Sequence, residues 1–167
     1  TTIKGKKADV VFFGGMDAVA GPMLRQMKSL GINAKFMGGD GICSTELIKL
    51  GGDAIADNQV YCAEAGGVEG KEEADMAAFK AKFKAKFGTD VQVYAPYVYD
   101  GVKVMVAAMV KAGSSDPAKY LPMLAATKDY KGVTGNITFD EKGDIKNGAL
   151  TLQTVRGGKL TKLAVIR

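Results

Sequence analysis

The chain contains no histidine and no tryptophan, and it has two cysteines among its 167 residues. Histidine is the commonest general base and the commonest metal ligand in proteins. Its absence excludes a Ser-His-Asp or Cys-His nucleophile and makes a zinc site unexpected. The sequence also lacks a phosphate-binding glycine loop and a nucleophile elbow. We therefore expect a protein that is not an enzyme and that holds no metal ion or other cofactor.

Long hydrophobic runs are missing as well. No apolar stretch approaches the roughly 20 residues that a membrane-spanning helix needs, and no secretory signal sequence is present. A mature exported protein has lost its signal, so this second absence says little about location. The composition, with 47% hydrophobic and 25% charged residues, is typical of a soluble globular protein.

The formal net charge of +5 raises the question of nucleic-acid binding. The lysines are spread over predicted helix faces, for example between Lys71 and Lys86. No helix-turn-helix, ribonucleoprotein or zinc-finger pattern accompanies them. A solvated basic surface explains the charge, and no nucleic-acid partner is expected.

The N-terminal part predicts two strands joined by a helix, with a glycine turn after each strand. Val10 to Phe13 is a continuous apolar run, typical of a parallel strand that is covered on both faces. The predicted elements are a strand at 9–13, a helix at 17–30 capped by Asp17, and a strand at 34–37. Ligands bind beyond the carboxyl ends of such parallel strands. Residues 14–17 and 38–42 are therefore expected to line one crevice.

The rest of the chain predicts more helix than its few strands can cover. The predicted helices are a short one from Ser44 or Thr45, one at 71–87, one that ends at Gly113 and one from Ser115 or Asp116 with a kink or interruption at Pro122. The predicted strands are at 59–63, 133–139, 149–155 and 160–166. One predicted apolar helix face comprises Val102, Met105, Val106, Met109 and Val110. Isolated helices cannot bury such faces. We expect the chain to be a piece of a larger two-lobed protein, or to exchange elements with a second copy.

The two cysteines, Cys43 and Cys62, each follow a predicted parallel strand or its turn, at the same edge of the sheet. A disulfide between them suits an oxidising compartment. Two buried thiols explain the same positions equally well. The sequence leaves both alternatives open.

Five blocks of sequence occur in a recognisable order: FFGGMDAVAGPMLRQMKSLGI, FMGGDGIC, YAPYVYDGVKVMVAAMVKAG, DPAKYLP and GVTGNITFDEKGD. Together they resemble the branched-chain amino-acid-binding proteins of ABC importers, the Leu/Ile/Val-binding family. These are type I periplasmic binding proteins, in which two α/β lobes close on a ligand. The resemblance covers nearly the whole chain but only the C-terminal half of such a protein.

The resemblance implies an α/β fold that is a partial type I periplasmic-binding-protein fold. Residues 1–67 would form the α/β segment of the second lobe. Residues 71–139 would be a mainly helical segment that returns to the first lobe, and residues 143–167 a β segment that crosses back to the second lobe. The missing N-terminal half, or a second copy, would complete the structure.

The same resemblance assigns roles to four residues. Asp40 matches the acidic residue, often glutamate in the family, that holds the ammonium group of the ligand. Met16 matches a position often occupied by tyrosine, Gly41 lets the backbone approach the ligand, and Tyr97 matches an aromatic wall of the pocket. Asp17 is interpreted as a helix cap. The groups that hold the ligand carboxylate belong to the missing half.

The function implied is that of a periplasmic solute-binding protein that captures a branched-chain or other aliphatic amino acid and delivers it to a membrane permease. An alternative is a ligand-sensing module of a receptor or regulator, which uses the same fold. A small α/β enzyme with Asp40 and Asp17 as acid and base is disfavoured, because histidine and the common catalytic motifs are absent.

Overall fold

Two separate units make up the chain. The computed structural model describes residues 2–67 and 71–166. The first unit is formed by Thr1–Gly66 with Ala149–Arg167, and the second by Gly67–Gly148. Among the described residues, no helix is long and apolar enough to cross a membrane.

Helices and strands alternate up to residue 65. Helices follow, and the C-terminal part of the chain forms strands. In chain order the elements are α1 (Thr2–Lys6), β1 (Val10–Phe13), α2 (Asp17–Ser29), β2 (Lys35–Gly38), a 3-10 turn (Asp40–Ile42), α3 (Thr45–Gly51), a second 3-10 turn (Gly52–Ala54), β3 (Val60–Ala65), α4 (Lys71–Phe87), α5 (Ala95–Ala112), α6 (Pro117–Ala125), β4 (Tyr130–Gly132), β5 (Gly135–Ile137), β6 (Leu150–Arg156) and β7 (Lys159–Ile166). Most of these elements agree with the sequence-based predictions to within two residues at each end.

The first unit contains a five-stranded sheet in the order β1-β2-β3-β6-β7. The β1–β2 and β2–β3 pairs are parallel, whereas β3–β6 and β6–β7 are antiparallel. The predicted parallel crossover through α2 is therefore confirmed, and the C-terminal segment returns to this sheet as a hairpin. The 3-10 turn at Asp40–Ile42 and the start of α2 each follow the end of a parallel strand, and such strands end at a common edge.

The hydrophobic core of this unit lies on one face of the sheet, beneath α2 and α3. Phe36 at the centre of the sheet is fully buried and stacks on Phe13. The buried core residues are Val11, Ala20, Leu24, Met27, Ile32, Ala34, Phe36, Ile42, Cys43, Leu47, Val60, Cys62 and Val155. Helices and sheet thus bury a single continuous cluster, as a two-layer unit requires.

The opposite face of the sheet is exposed at β1 and β2. Phe12 is 71% exposed, Val10 is 53% exposed and Met37 is 37% exposed. Phe12 and Met37 are register partners, so their side chains lie together on this face. The expectation that β1 is covered on both faces is wrong for the described chain, because Val10 and Phe12 of this strand are exposed. β1 is also an edge strand of the sheet as described.

A disulfide joins Cys43 to Cys62, with their Cα atoms 5.5 Å apart. Both residues are fully buried in the core. Of the two alternatives that the sequence left open, the structure contains the disulfide.

In the second unit, the described residues form three helices and the β4–β5 hairpin. Pro122 lies within α6, which is continuous, so the predicted interruption is not observed. The predicted strand at 133–139 is observed only as the shorter β5. Residues 133 and 134 form the turn between β4 and β5. Phe79 of α4 contacts Tyr99 of α5, with ring centroids 5.0 Å apart.

Helix α5 buries a different face from the predicted one. Residues that recur every four positions line one side of a helix. The buried stripe is Pro96, Asp100, Val104 and Ala108. A second stripe is exposed, and we call it the valine stripe: Val98, Val102, Val106 and Val110. The valines that were expected to face a core are thus uncovered by the second unit.

Asp100 is the buried polar residue that organises the second unit. It is 2% exposed, and its carboxylate accepts hydrogen bonds from Val133 N (3.0 Å), Thr134 N (2.8 Å) and Thr134 Oγ1 (2.6 Å). A Cβ atom at Gly132 would collide with the Asp100 carboxylate, so a larger residue there would displace this side chain. Asp100 therefore ties α5 to the β4–β5 turn.

Candidate functional site

The start of α2 differs from the sequence-based prediction. Met16 is the N-cap residue and has an extended backbone, with no side-chain capping bond. Asp17 is the first helical residue, so its interpretation as a cap is wrong. Its carboxylate accepts one bond from Ala18 N (2.8 Å) and another from Ser44 Oγ (2.6 Å). A negative charge in the first turn is favourable beside the free N–H groups of a helix.

Ser44 connects the N-termini of two helices. Its hydroxyl group donates to Asp17 and accepts from Leu47 N at 3.0 Å, which makes Ser44 the cap of α3. The predicted cap at Ser44 is therefore confirmed. Its bond to Asp17 was not foreseen, because the two residues are 27 positions apart in the sequence.

Replacing Ser44 by alanine should remove both interactions. We expect Ser44→Ala to lower the free energy of unfolding by about 1–2 kcal/mol, which is the usual effect of losing a helix cap. Ser29→Ala is a matched control, since the Ser29 hydroxyl is exposed and bonds only locally to Gln26 O. Urea denaturation of both variants measures the difference. Equal effects of the two substitutions would show that the Ser44 contacts contribute nothing.

Asp40 begins the 3-10 turn that follows β2. Its backbone carbonyl accepts from Cys43 N at 2.9 Å, which fixes the turn. The Asp40 side chain is exposed and takes part in no hydrogen bond or ion pair with any residue that the structure describes. Beyond the end of a parallel strand, this carboxylate is available to a cationic group.

Gly41 allows the turn after β2 to contact the turn after β1. A Cβ atom at this buried position would lie 2.6 Å from Gly15 O and 2.7 Å from Met16 Sδ. No larger residue fits without moving one turn, so glycine at 41 permits the close approach. The structure thus places Met16, Asp40 and Gly41 together at one edge of the sheet. Met16 remains 52% exposed.

Tyr97 belongs to the second unit. It lies in the first turn of α5, one position after the buried Pro96, and is itself half-buried. Its predicted role as a pocket wall stays a prediction.

Two contacts escaped the sequence-based prediction. The bond between Ser44 and Asp17 joins distant segments, and nothing in the local sequence marks it. Asp100 carried a weak signal, because it interrupts an otherwise apolar helix pattern in VYDGVKVMV. A buried carboxylate needs several donors, but the sequence does not identify the turn at residues 133 and 134 as their source.

The chain matches the periplasmic binding protein family over residues 1–159. It is similar to a leucine-, isoleucine-, valine-, threonine- and alanine-binding protein of Pseudomonas aeruginosa, with 37% identity over 151 residues. The match covers 89% of this chain and 39% of that protein. The chain therefore spans about two fifths of the length of the curated relatives it matches.

Solved structures share the fold. A leucine-binding protein from Thermotoga maritima has a TM-score of 0.78 and 26% sequence identity, and the match covers 95% of this chain and 45% of that one. A branched-chain amino-acid transporter substrate-binding protein from Streptococcus pneumoniae, solved with isoleucine, has a TM-score of 0.77 and 24% identity, and the match covers 95% of this chain and 44% of that one. These likenesses confirm the predicted type I periplasmic-binding-protein fold and its partial extent. The chain belongs to the periplasmic binding protein family.

Proposed function

We propose that the chain is part of a periplasmic solute-binding protein that binds a branched-chain or other aliphatic amino acid and delivers it to the permease of an ABC importer. One observation carries this proposal. The Asp40 carboxylate is exposed at the strand-end edge of the first unit and has no partner among the described residues.

The chemistry of this edge favours an ammonium group over an anion. A carboxylate forms strong charge-assisted hydrogen bonds with an ammonium, and desolvation on binding strengthens the attraction. The same carboxylate repels a ligand that carries only negative charge. Met16, beside Gly41, adds an apolar and adaptable thioether surface. An α-amino acid with an aliphatic side chain satisfies both groups.

Two bare apolar surfaces support the view that a second segment completes the protein. The first unit leaves Val10, Phe12 and Met37 exposed on one sheet face, and the second unit leaves the valine stripe exposed. Contiguous apolar patches of this kind mark interaction surfaces. We assign them to the missing N-terminal half, with a second copy of the chain as the alternative occupant.

This assignment also indicates which residues belong to which lobe. Residues 1–67 and 143–167 belong to the second lobe and residues 71–139 to the first lobe in the proposed complete protein. Tyr97 then packs on the ligand side chain from the first lobe. Hydroxyl and backbone N–H groups of the missing half hold the ligand carboxylate. Curated relatives about two and a half times as long as the matched region are consistent with such a partner segment.

The buried disulfide fits a periplasmic location, because disulfides persist in that oxidising compartment. The names of the relatives add support, since several are amino-acid-binding proteins. Delivery to a permease is the role that a protein of this kind has in an ABC importer.

Thermal unfolding with amino acids at millimolar concentration tests the proposal. A ligand at about one hundred times its dissociation constant stabilises a protein by about 2.7 kcal/mol. We expect L-leucine, L-isoleucine or L-valine to raise the unfolding temperature of the complete two-lobed protein, and L-glutamate to leave it unchanged. A shift in this chain alone would mean that the half-site binds by itself or is completed by a second copy or a companion fragment. If no amino acid stabilises the complete protein, the proposed function is wrong.

A further inference from the structure

The turn that carries Asp40 is anchored twice to the same residue. Gly38, at the end of β2, is the register partner of Cys62 on β3. Cys43, at the other end of the turn, is joined to Cys62 by the disulfide. The segment 38–43 therefore begins and ends at one position of the neighbouring strand, with Asp40 between the two anchors.

The turn is rich in glycine, and it is also held by the packing of Gly41 against Gly15 and Met16 and by the burial of the Ile42 side chain. Gly38, Gly39 and Gly41 surround Asp40, and glycine has more backbone freedom than any other residue. Three backbone hydrogen bonds form in this segment: Cys43 N donates to Asp40 O at 2.9 Å, Ile42 N to Gly39 O at 3.3 Å and Ser44 N to Ile42 O at 3.0 Å. A glycine-rich loop that must present a charge in one place needs an external constraint.

The disulfide is well placed to supply that constraint. Both cysteines and Ile42, which precedes Cys43, are fully buried, so the C-terminal anchor lies in the core and not at the surface. Asp40 itself is exposed. The constraint therefore acts from beneath the turn and leaves the carboxylate open to a ligand.

We propose that Cys43 and Cys62 are positioning residues for ligand binding: their disulfide holds the 38–43 turn in the conformation that presents the Asp40 carboxylate to the ammonium group of the ligand. This inference rests on the proposed function, because it assumes that Asp40 holds an ammonium. It goes further in assigning to the disulfide an effect on affinity in addition to stability.

The first arm of the test needs no ligand and uses the chain itself. Hydrogen exchange is compared between the parent chain and the double variant Cys43→Ala with Cys62→Ala. The matched control is Val60→Ala, which removes a buried side chain from the same strand β3 without releasing the turn. We expect the amides of residues 42 and 43 to exchange at least about tenfold faster in the double variant, relative to the amides of α2. The control should change both sets equally.

Two results of this arm would overturn the proposal. One is an unchanged ratio of exchange rates between the turn and α2, since the turn would then be held by other contacts. The other is failure of the double variant to fold, since the disulfide would then stabilise the whole unit and have no separate role at the turn.

The second arm is a double-mutant cycle with L-leucine in the complete two-lobed protein. Removing the disulfide should weaken binding about tenfold when Asp40 is present and less than about twofold in the Asp40→Asn background. A purely structural disulfide would weaken binding equally in both backgrounds, and that result would overturn the proposal. If Asp40→Asn alone leaves the affinity unchanged, the proposed ligand contact fails, whereas the exchange measurements still report on the turn.

Discussion

Alanine in place of Asp40 should weaken amino-acid binding by the complete two-lobed protein by about 2–5 kcal/mol, which is roughly a thirty- to several-thousandfold higher dissociation constant. The loss is large because the ligand ammonium would be desolvated on lobe closure and left without its counter-charge. Isothermal titration with L-leucine measures it directly. The expected result is a loss of affinity with little change in unfolding temperature, since the Asp40 side chain forms no hydrogen bond or ion pair with the described residues.

Asp53→Ala is the matched control for this substitution. Asp53 is also exposed and also lies in a 3-10 turn of the first unit, Gly52–Ala54, but this turn is not the one that contacts Met16. Its replacement should leave the affinity for L-leucine unchanged. Equal affinities of the Asp40 and Asp53 variants would contradict the assignment of Asp40 to the ligand.

The second large effect concerns stability. We expect Asp100→Ala to destabilise the second unit by about 3 kcal/mol, because the two backbone N–H groups and the Thr134 hydroxyl that bond to the carboxylate would lose their acceptor. Hydrogen exchange in α5 and urea denaturation both measure the change. The first unit contains no partner of Asp100, so exchange in α2 should be less affected.

Asp75→Ala serves as the control for Asp100. Asp75 lies on the exposed surface of α4 in the same unit, and its replacement should change the free energy of unfolding by less than about 0.5 kcal/mol. If Asp100→Ala were as mild as this control, the buried hydrogen bonds would contribute little to the second unit.

Local sequence signals predicted most of the secondary structure. The apolar run at Val10–Phe13, the stop at Gly113 and the cap at Ser44 each act within a few residues, and the structure agrees with all three. The parallel β1–β2 pair also followed, because a short strand-helix-strand unit leaves one common topology.

Contacts between distant segments were harder to predict. Periodicity shows which side chains are apolar but not which of them another element covers, so β1 was expected to be covered on both faces although Phe12 is exposed, and the buried stripe of α5 at Asp100 was not predicted. The partners of Asp17 and Asp100 lie 27 and 33–34 residues away. Their positions depend on the assembled fold, which the local pattern does not contain.

The candidate site was predicted in part from the residues and in part from the resemblance. The common edge of two parallel strands brought Met16 and Gly41 together, as the topology indicates. The role of Asp40 as an ammonium ligand came from the resemblance, and its free carboxylate supports that role without testing it.

The most direct test of the central claim changes the ligand and leaves the protein intact. L-leucine and 4-methylpentanoate share a carbon skeleton and a carboxylate, and they differ in the ammonium group. Titration calorimetry of the complete protein should detect binding of L-leucine and at least about a hundredfold weaker binding of 4-methylpentanoate. Equal affinities would contradict the claim that Asp40 recognises an ammonium group.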